Sequence, residues 1–454
     1  MLQDRKILPM SRQPSGSATG VAWCMLIVFC ILSGTAIHSQ ANDGTTADDE
    51  NADSPFYFGG FMRAGMMGIR EDDSTTSDQG FFSAFPLLRL QGEYSGKAFK
   101  TEALIDNALT FANRGGREFR GQWLDLPRNR LLILEGQMQE DTYVAKSYAH
   151  RLNASWNFGP FMLKAGRQAC AWGEGRLINP MNLVTPTDPF VFDTEMIPAA
   201  DAVNLSWYLN DTDYVQAVVV PYRRENSKDY TKLQAEDTNA FLRLKKSLGN
   251  FELTLVAGRH FHANIGGIES SVQLGGGMLR FSSIVRREEE IVIDRIFYKE
   301  QIPGRVFYTG LLGYSYSFSG GWNVNAELLA NGLSEDRAST RYQMKATEAA
   351  VVTGDLQPLA GDASFFITAG RFISRYPFFS QFSIQHEFSS LWKGSLFLIV
   401  DPEGRSLSSL PQLEYNMHEN TVIIMAARLS AWRDISSEFQ KMQQSVYAFV
   451  RWYW

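Results

Sequence analysis

The sequence predicts an all-β protein, a transmembrane antiparallel β-barrel of about 16–18 strands. Three observations predict this fold. The last ten residues have the alternation of a strand with one apolar face, many earlier segments alternate polar and apolar residues, and the connections alternate between tight turns and long polar stretches. A soluble β-sandwich or β-helix is the alternative, since its strands alternate too. Segments of about ten residues favour the membrane, because a typical soluble strand has about 5–6.

The final segment, Ser445–Trp454, predicts how the barrel closes. Val446, Val450 and Trp452 fall on one face at the strand period of two, and Ser445 and Arg451 fall on the other. In a membrane barrel the first and last strands must pair, because lipid cannot satisfy the hydrogen-bonding groups of an open edge. We therefore expect this segment to be the closing strand.

The start of the chain predicts export. Basic residues precede an apolar run, Val21–Leu32, and small and polar residues follow it up to Ala41. This run is too short for a spanning helix, which needs about 20 residues, and the order of features is that of a signal peptide. We predict a signal peptide at 1–41, a flexible acidic periplasmic lead-in at 42–55 and the barrel at 56–454, placed in a bacterial outer membrane.

Cysteine content and charge exclude two kinds of chemistry. Of the three cysteines, only Cys170 lies outside the predicted signal peptide, so the processed chain has no intramolecular disulfide. The formal net charge is -6, and removal of the basic leader makes it more negative. Because binding to nucleic-acid phosphates needs a net basic surface, nucleic acid is not an expected partner.

The connections fall into two kinds. Short turns are predicted at 95–96, 159–160, 210–211, 249–250 and 320–321. Long polar stretches are predicted at 70–82, 107–146, 173–199, 222–236, 332–361 and 431–444. Short periplasmic turns with long outer loops are typical of outer-membrane barrels. The pairing of 262–270 and the nature of 347–360, strand or loop, are left open.

Strand alternation divides the side chains into a lipid-facing set and a lumen-facing set. In Leu88–Tyr94, for example, Leu88 and Leu90 oppose Arg89 and Glu93. The lumen-lining candidates, which mix both charge signs with amides, are Arg89, Glu93, Lys100, Glu102, Arg151, Asn153, Asn157, Lys164, Asn204, Arg243, Lys245, Asn323, Asn325, Glu327, Gln385 and Glu387. Because this set contains no ladder of one sign, we expect weak ion selectivity.

The most distinctive local sequence is Gly166–Arg176, G-R-Q-A-C-A-W-G-E-G-R, which is followed by Asn179 and Pro180. Together with the preceding strand Leu152–Phe158, this pattern resembles a porin-like family of Gram-negative outer-membrane proteins. A fainter similarity is to the porins grouped with alginate export. The resemblance covers about residues 147–221 and implies an outer-membrane pore or an uptake or export channel without catalysis. It does not name a solute.

The stretch 173–199 is proline-rich and carries charges of both signs. Because proline fixes φ, such a loop is stiff. Two placements are open: a constriction inside the pore, where carboxylates facing an arginine set a transverse field, or an ordinary outer loop packed on the rim. The constriction candidates are Glu174, Arg176, Asp188, Asp193 and Glu195.

Two arginines are candidates for the rim of the barrel. Arg167 and Arg259 each end an Ala-Gly-Arg sequence and follow the apolar register of their strand. That register places them at the outer end of the lipid-facing stripe, where arginine can snorkel or meet lipopolysaccharide phosphate. A bulge would turn them inward instead.

Catalytic motifs are absent from the sequence. It contains no G-x-S-x-G, no H-E-x-x-H and no P-loop, so we expect no enzyme activity and no cofactor. His260 and His262 have a spacing that can hold a metal with one more ligand, but two histidines alone are more often rim residues, and no metal site is predicted. Cys170 is expected to be inert.

The sequence thus favours a channel through which small polar solutes pass by diffusion or facilitated passage. The alternative is a barrel component of an export or uptake system for polysaccharide or lipid-like cargo. The expected partners are outer-membrane lipid and lipopolysaccharide, the barrel-assembly machinery and the small polar solute, and a homo-oligomer is left open.

Overall fold

The computed structural model describes part of the chain, and every structural statement below refers to that part. The described residues are 54–70, 80–112, 134–139, 143–185, 197–221, 238–260, 263–288, 291–295, 298–302, 306–332, 334, 366–368, 371–374, 376–433, 439 and 444–454. The predicted signal peptide, nearly all of the lead-in and the open segment 347–360 lie outside these residues. None of the described segments is a helix long and apolar enough to cross a membrane.

The regular structure of the described residues is all β, which confirms the predicted class. The strands are β1 (Phe56–Arg70), β2 (Gly80–Ala84), β3 (Leu87–Ser95), β4 (Phe99–Ala112), β5 (Glu135–Gln139), β6 (Tyr143–Phe158), β7 (Phe161–Gln168), β8 (Ala200–Tyr208), β9 (Tyr214–Val220), β10 (Asn239–Leu248), β11 (Phe251–His260), β12 (Ala263–Leu274), β13 (Gly277–Glu288), β14 (Ile291–Arg295), β15 (Tyr298–Ile302), β16 (Val306–Ser317), β17 (Trp322–Asn331), β18 (Phe366–Thr368), β19 (Arg371–Ile373), β20 (Phe378–Glu387), β21 (Trp392–Asp401), β22 (Ser406–His418), β23 (Thr421–Trp432) and β24 (Gln444–Tyr453).

The main sheet closes on itself as an antiparallel barrel of 18 strands, in agreement with the expected 16–18. The sheet contains 20 strands, of which β2 and β3 form one wall strand, since both pair with β1. The short strand β5 lies outside the ring and pairs only with β6 among the described strands. Two further hairpins, β14–β15 and β18–β19, are separate from the wall.

The predicted closing strand does close the barrel. β24 pairs with β1 from Arg70↔Gln444 to Phe61↔Tyr453, and with β23 on its other edge. The two faces differ as the alternation predicts: Val446 is 62% exposed, whereas Tyr447 is 2% exposed. Neither edge of the closing strand is left open over this length, which is the condition that lipid imposes.

The exposed and buried faces show which side of the wall meets lipid. Along β17, Leu328 is 57% exposed, whereas its neighbours Glu327 and Leu329 are each 1% exposed. The same alternation puts apolar side chains outside and arginines, carboxylates and amides inside on most wall strands. An apolar exterior around a polar interior is the pattern of a barrel whose solvent is a bilayer.

The open segment 262–270 is largely resolved by the structure. From Ala263 onward it belongs to β12, which pairs with β11 and with β13. All five predicted short turns lie between paired wall strands, at one end of the barrel. An additional turn at this end uses Gly275 and Gly276, both with positive φ, a conformation open to glycine.

Candidate functional site

The chain between β7 and β8 folds into the barrel. Its described residues are 169–185 and 197–199, and residues 169–185 are called the inward segment. Three hydrogen bonds join its backbone to the wall, from Glu174 N–H to Glu269 Oε1 (2.5 Å), from Arg176 N–H to Glu327 Oε1 (3.0 Å) and from Ile178 N–H to Gln381 Oε1 (2.9 Å). These acceptors belong to β12, β17 and β20. In the ring of 18, β20 lies nine strands from β7 in either direction, so the segment crosses the interior to the opposite wall.

The three acceptors are interior side chains. Glu269, Glu327 and Gln381 are at most 4% exposed, and each alternates with an outward apolar neighbour, Ile268, Leu328 and Phe382 respectively. Between the two placements that the sequence left open, the described residues of this loop therefore lie inside the barrel. The wall carboxylates satisfy backbone donors that would otherwise be buried without a partner.

A glycine of the distinctive motif makes a close backbone contact near the end of β7, three residues before the inward segment. Gly166 has φ +114, and a Cβ there would lie 2.3 Å from the carbonyl oxygen of Leu152 on β6. Only glycine fits such a close approach in this conformation. Two residues later, Gln168 Nε2 donates to the carbonyl of Ala202 at 2.9 Å, which ties the start of the segment to β8.

The rest of the motif builds one turn around the side chain of Asn179. Its Nδ2 donates to the carbonyl of Trp172 at 2.8 Å, and its Oδ1 accepts from the N–H of Met181 at 3.0 Å. Gly173 has φ +90, and a Cβ there would lie 2.2 Å from Asn179 Oδ1. The spacing W-G-E-G followed by N-P is thus that of a compact turn, in which the amide takes the space a side chain at residue 173 would need.

Apolar packing fixes the inward segment against one half of the wall. Trp172 meets Phe241 of β10 edge to face, with ring centroids 5.3 Å apart. The first cluster joins the segment to β8–β13 and contains Cys170, Trp172, Met181, Leu183, Val184, Ala200, Ala202, Val218, Val220, Phe241, Val256, Ile265 and Ile284. The second joins it to β16, β17, β20 and β21 and contains Leu177, Ile178, Leu311, Leu329, Phe379, Ile399 and Phe439. The remaining wall strands, β22–β24, β1–β4, β6 and β7, enclose the other half. A third cluster lies there on the inner face of β22–β24 and β1 and contains Met67, Phe85, Leu410, Ile424, Ala426, Tyr447 and Phe449.

Two of the five constriction candidates, Glu174 and Arg176, lie within the described residues. Arg176 is exposed although its backbone is tied to the wall, and Glu174 is half-buried. Both therefore present charge inside the barrel. Asp188, Asp193 and Glu195 lie outside the described residues.

A charged cluster of lumen candidates lies on β4, β6 and β7. Glu102 accepts from Arg151 Nη1 at 3.1 Å and from Asn153 Nδ2 at 2.9 Å, and Lys164 Nζ lies 3.9 Å from its Oε2. The exposed fractions of the Arg151, Glu102 and Lys164 side chains are 23%, 20% and 28%. Interior ions that are partly exposed indicate space for water beside them. The cluster is therefore an interior surface that carries charges of both signs.

The remaining lumen candidates differ in burial. Arg89 is buried and is joined to Asp106 by two hydrogen bonds of 2.7 Å. The other buried candidates are Asn204, Asn325 and Glu327. The half-buried ones are Glu93, Arg243, Lys245 and Gln385, and the exposed ones, near the short-turn end of their strands, are Lys100, Asn157, Asn323 and Glu387.

Sequence reasoning placed Arg89 in the lumen and Arg451 on the polar face of its strand, but it missed Arg63 and Arg428 and the arc that the four arginines form. Arg428, Arg451, Arg63 and Arg89 come from β23, β24, β1 and β3, which are consecutive in the ring, and all four are buried on its inner face. Aromatic rings separate the charges: Arg63 lies 5.6 Å from the centroid of Phe449, and Arg451 lies 5.3 Å from that of Phe61. The arc is not a ladder of one sign, because Asp106 pairs with Arg89, and the expected weak ion selectivity stays a prediction. The signal in β1 was weak, because glycine and methionine fill both of its faces.

Arg167 was expected to lie exposed at the rim of the barrel, and this expectation is wrong because its side chain is buried. This side chain is 1% exposed, and its Nη1 donates to the carbonyl of Ala149 at 2.8 Å. Because the guanidinium is covered, it does not form an exposed contact for lipopolysaccharide at the rim. Arg259 is half-buried in the outward register, and its rim role stays a prediction.

The histidine pair gives no metal site in the described part. His260 is 0% exposed, and Arg286 Nη2 lies 2.7 Å from its Nδ1. His262 lies outside the described residues. Within the described ranges, no group of three His, Cys, Asp or Glu side chains could hold a metal ion.

The fold is a closed antiparallel barrel of 18 strands with a segment folded into its interior. OccAB1 of Acinetobacter baumannii has the same fold, with a TM-score of 0.51, 10% identity and coverage of 90% of this chain and 99% of that one. A BenF-like porin from Pseudomonas fluorescens Pf-5 gives a TM-score of 0.51 and 10% identity over 88% of this chain and 98% of that one. OccAB4 of A. baumannii gives 0.51 and 9% over 89% and 100%. At these identities the likeness shows a shared fold alone. The sequence matches no protein-family model and no curated protein.

Proposed function

We propose that this protein is an outer-membrane channel through which small polar solutes cross by diffusion or facilitated passage. The observation that carries the proposal is the closed barrel of 18 strands with an apolar exterior and a charged, amide-rich interior. Barrels of about 16–18 strands are wide enough to leave an aqueous lumen. The partly exposed ions around Glu102 support water inside this one. One structure with the same fold is described as a porin.

The passage that we propose runs beside the inward segment. Apolar clusters fill the space between that segment and the wall from β8 to β21. Solutes would then pass along the opposite half, between the exposed side chain of Arg176 and the partly exposed side chains of Glu102 and Arg151. The arginine arc lies on the same half of the wall and is almost completely buried. In this arrangement Glu174 and Arg176 narrow the passage, and the unplaced Asp188, Asp193 and Glu195 are further candidates for the constriction.

The alternative cargo is not favoured. A polysaccharide or lipid-like chain needs a wide continuous lumen, and the inward segment crosses the interior from β7 to β20. The apolar exterior supports a bilayer around the barrel, and we propose that this bilayer is the outer membrane, with its lipid and lipopolysaccharide. Delivery by a signal peptide at 1–41 and insertion by the barrel-assembly machinery are part of the same proposal.

Single-channel recording in planar bilayers tests this function. The protein purified from outer membranes should give a steady open conductance, and vesicles that contain it should admit small sugars, amino acids and carboxylates up to a size limit. Protein-free bilayers and heat-denatured protein serve as controls. A folded barrel that stays silent in the bilayer and excludes every solute would overturn the proposal and would favour a partner-gated export component.

A further inference from the structure

We infer that Glu269, Gln381 and Glu327 are positioning residues that hold the inward segment across the lumen and thereby set the width of the passage. The expected effect of this anchoring on conductance rests on the function proposed above, whereas the anchoring itself does not. The donors are the backbone N–H groups of Glu174, Arg176 and Ile178. They are alternate residues of the segment, and each donates to a side chain of a different wall strand.

The acceptors are side chains and not a neighbouring strand. A strand edge would offer carbonyl groups at fixed spacing, but here the wall strands run past the segment and only their inward side chains can reach it. Carboxyl side chains suit this task because each has two oxygens that can accept hydrogen bonds. Two of the three anchors are carboxylates. They come from separate strands, so they fix the segment at several points along its length.

Glu327 has a second partner, which decides the choice of test variants. Its Oε1 lies 3.3 Å from Arg280 Nη2, and both side chains are almost completely buried. Removal of Glu327 would leave a buried cation and would destabilise the wall itself. Among the described residues, the side chains of Glu269 and Gln381 accept hydrogen bonds only from the segment, so Glu269→Ala and Gln381→Ala remove anchors with the least effect elsewhere.

The test reads the position of the segment without relying on transport. In a Cys170→Ala background, Ile178→Cys introduces the single thiol of the processed chain at a site whose native side chain is 2% exposed. Labelling by a water-soluble maleimide should be slow in this parent. Adding Glu269→Ala or Gln381→Ala should accelerate it at least about tenfold, because the labelling rate follows the open population of the segment. Glu269→Gln, which keeps an acceptor oxygen, should stay nearer the parent.

Glu387→Ala is the matched control, since it removes a carboxylate from the same strand as Gln381 without removing a contact with the segment. Heat-modifiable gel mobility identifies the folded barrel in every sample. Equal labelling of the parent and of the folded Glu269→Ala/Gln381→Ala pair would overturn the inference, and if the pair does not fold, the two single variants decide it by the same criterion. Faster labelling together with a larger conductance supports anchoring and channel alike. Faster labelling in a barrel that never conducts supports the anchoring and overturns the proposed function.

Discussion

Arg167 and Asp201 face each other across the ends of β7 and β8 and close the base of the inward segment. Nε of the guanidinium lies 2.9 Å from Oδ1, and Nη2 lies 3.2 Å from Oδ2, with side chains that are 1% and 6% exposed. Such two-point pairing fixes both the distance and the relative orientation of its partners. The chain leaves the wall immediately after one residue and has just rejoined it at the other, so the pair joins the two ends of a long excursion.

Asp201→Ala should therefore be strongly destabilising. It leaves a buried guanidinium without its carboxylate, which costs about 3–5 kcal/mol in comparable pairs. The measurement is the free energy of unfolding in lipid vesicles with urea. The double variant Arg167→Met/Asp201→Leu removes both charges and should recover much of the loss. A single variant as stable as the wild type would show that the pair contributes nothing.

Gly173→Ala should loosen the turn around Asn179. The new methyl group would meet the Asn179 amide in a backbone conformation that alanine rarely adopts, at a cost of about 1–3 kcal/mol. We expect faster maleimide labelling of Cys170, which is 5% exposed in the same segment. Gly266→Ala on β12 is the control, because an added Cβ there has nothing within 4 Å. Equal labelling rates in the two variants would contradict the role given to Gly173.

A charge on the outer face tests which surface meets lipid. Leu328 is 57% exposed in the middle of β17, and Leu328→Arg should destabilise the barrel by about 2–4 kcal/mol if that surface lies in hydrocarbon. Leu209, 48% exposed in a turn, is the matched position, and Leu209→Arg should cost at most about 1 kcal/mol near the interface. Unfolding in vesicles compares the two. If both variants cost the same small amount, the outer surface does not lie in a bilayer.

Acid should weaken the turn between β8 and β9. The Asp213 carboxylate accepts from Lys246 Nζ at 2.6 Å, from the Ser247 N–H at 2.8 Å and from Asn210 Nδ2 at 2.9 Å. The bond from Lys246, followed by the others, holds the pKa of Asp213 well below its usual range. A depressed pKa in the folded state stabilises the fold above the unfolded value of about 3.9, and this contribution is lost as the pH falls further.

The corresponding variant is Asp213→Asn. At neutral pH the wild type should be the more stable of the two, and the difference should shrink as the pH falls below about 4. Urea unfolding at a series of pH values measures it. A difference that stays constant across the series would mean that the carboxylate is not the titrating group.

The sequence was most informative where lipid imposes a rule. Val446 and Val450 had to face outward, and the same rule assigned the faces of β8, β17 and β20 correctly. The inward position of Arg63 was not predicted, because β1, with its glycines and methionines, has no polar face to contrast with an apolar one. The bonds that hold the inward segment join residues 95, 151 and 203 positions apart, and no local pattern encodes partners so distant. The turn around Asn179 lies between these extremes, because its motif could be recognised in the sequence but the conformation of the turn could not be predicted.

Those separations also impose an order on assembly. When Gly173 and its neighbours leave the exit tunnel, Glu327 and Gln381 have not yet been synthesised, because those partners lie 151 and 203 residues later. Contacts this remote in sequence form late and slowly. Until then only the strands β8–β13 offer the segment an apolar surface. The lumen would therefore acquire its final shape only when the cylinder is nearly complete.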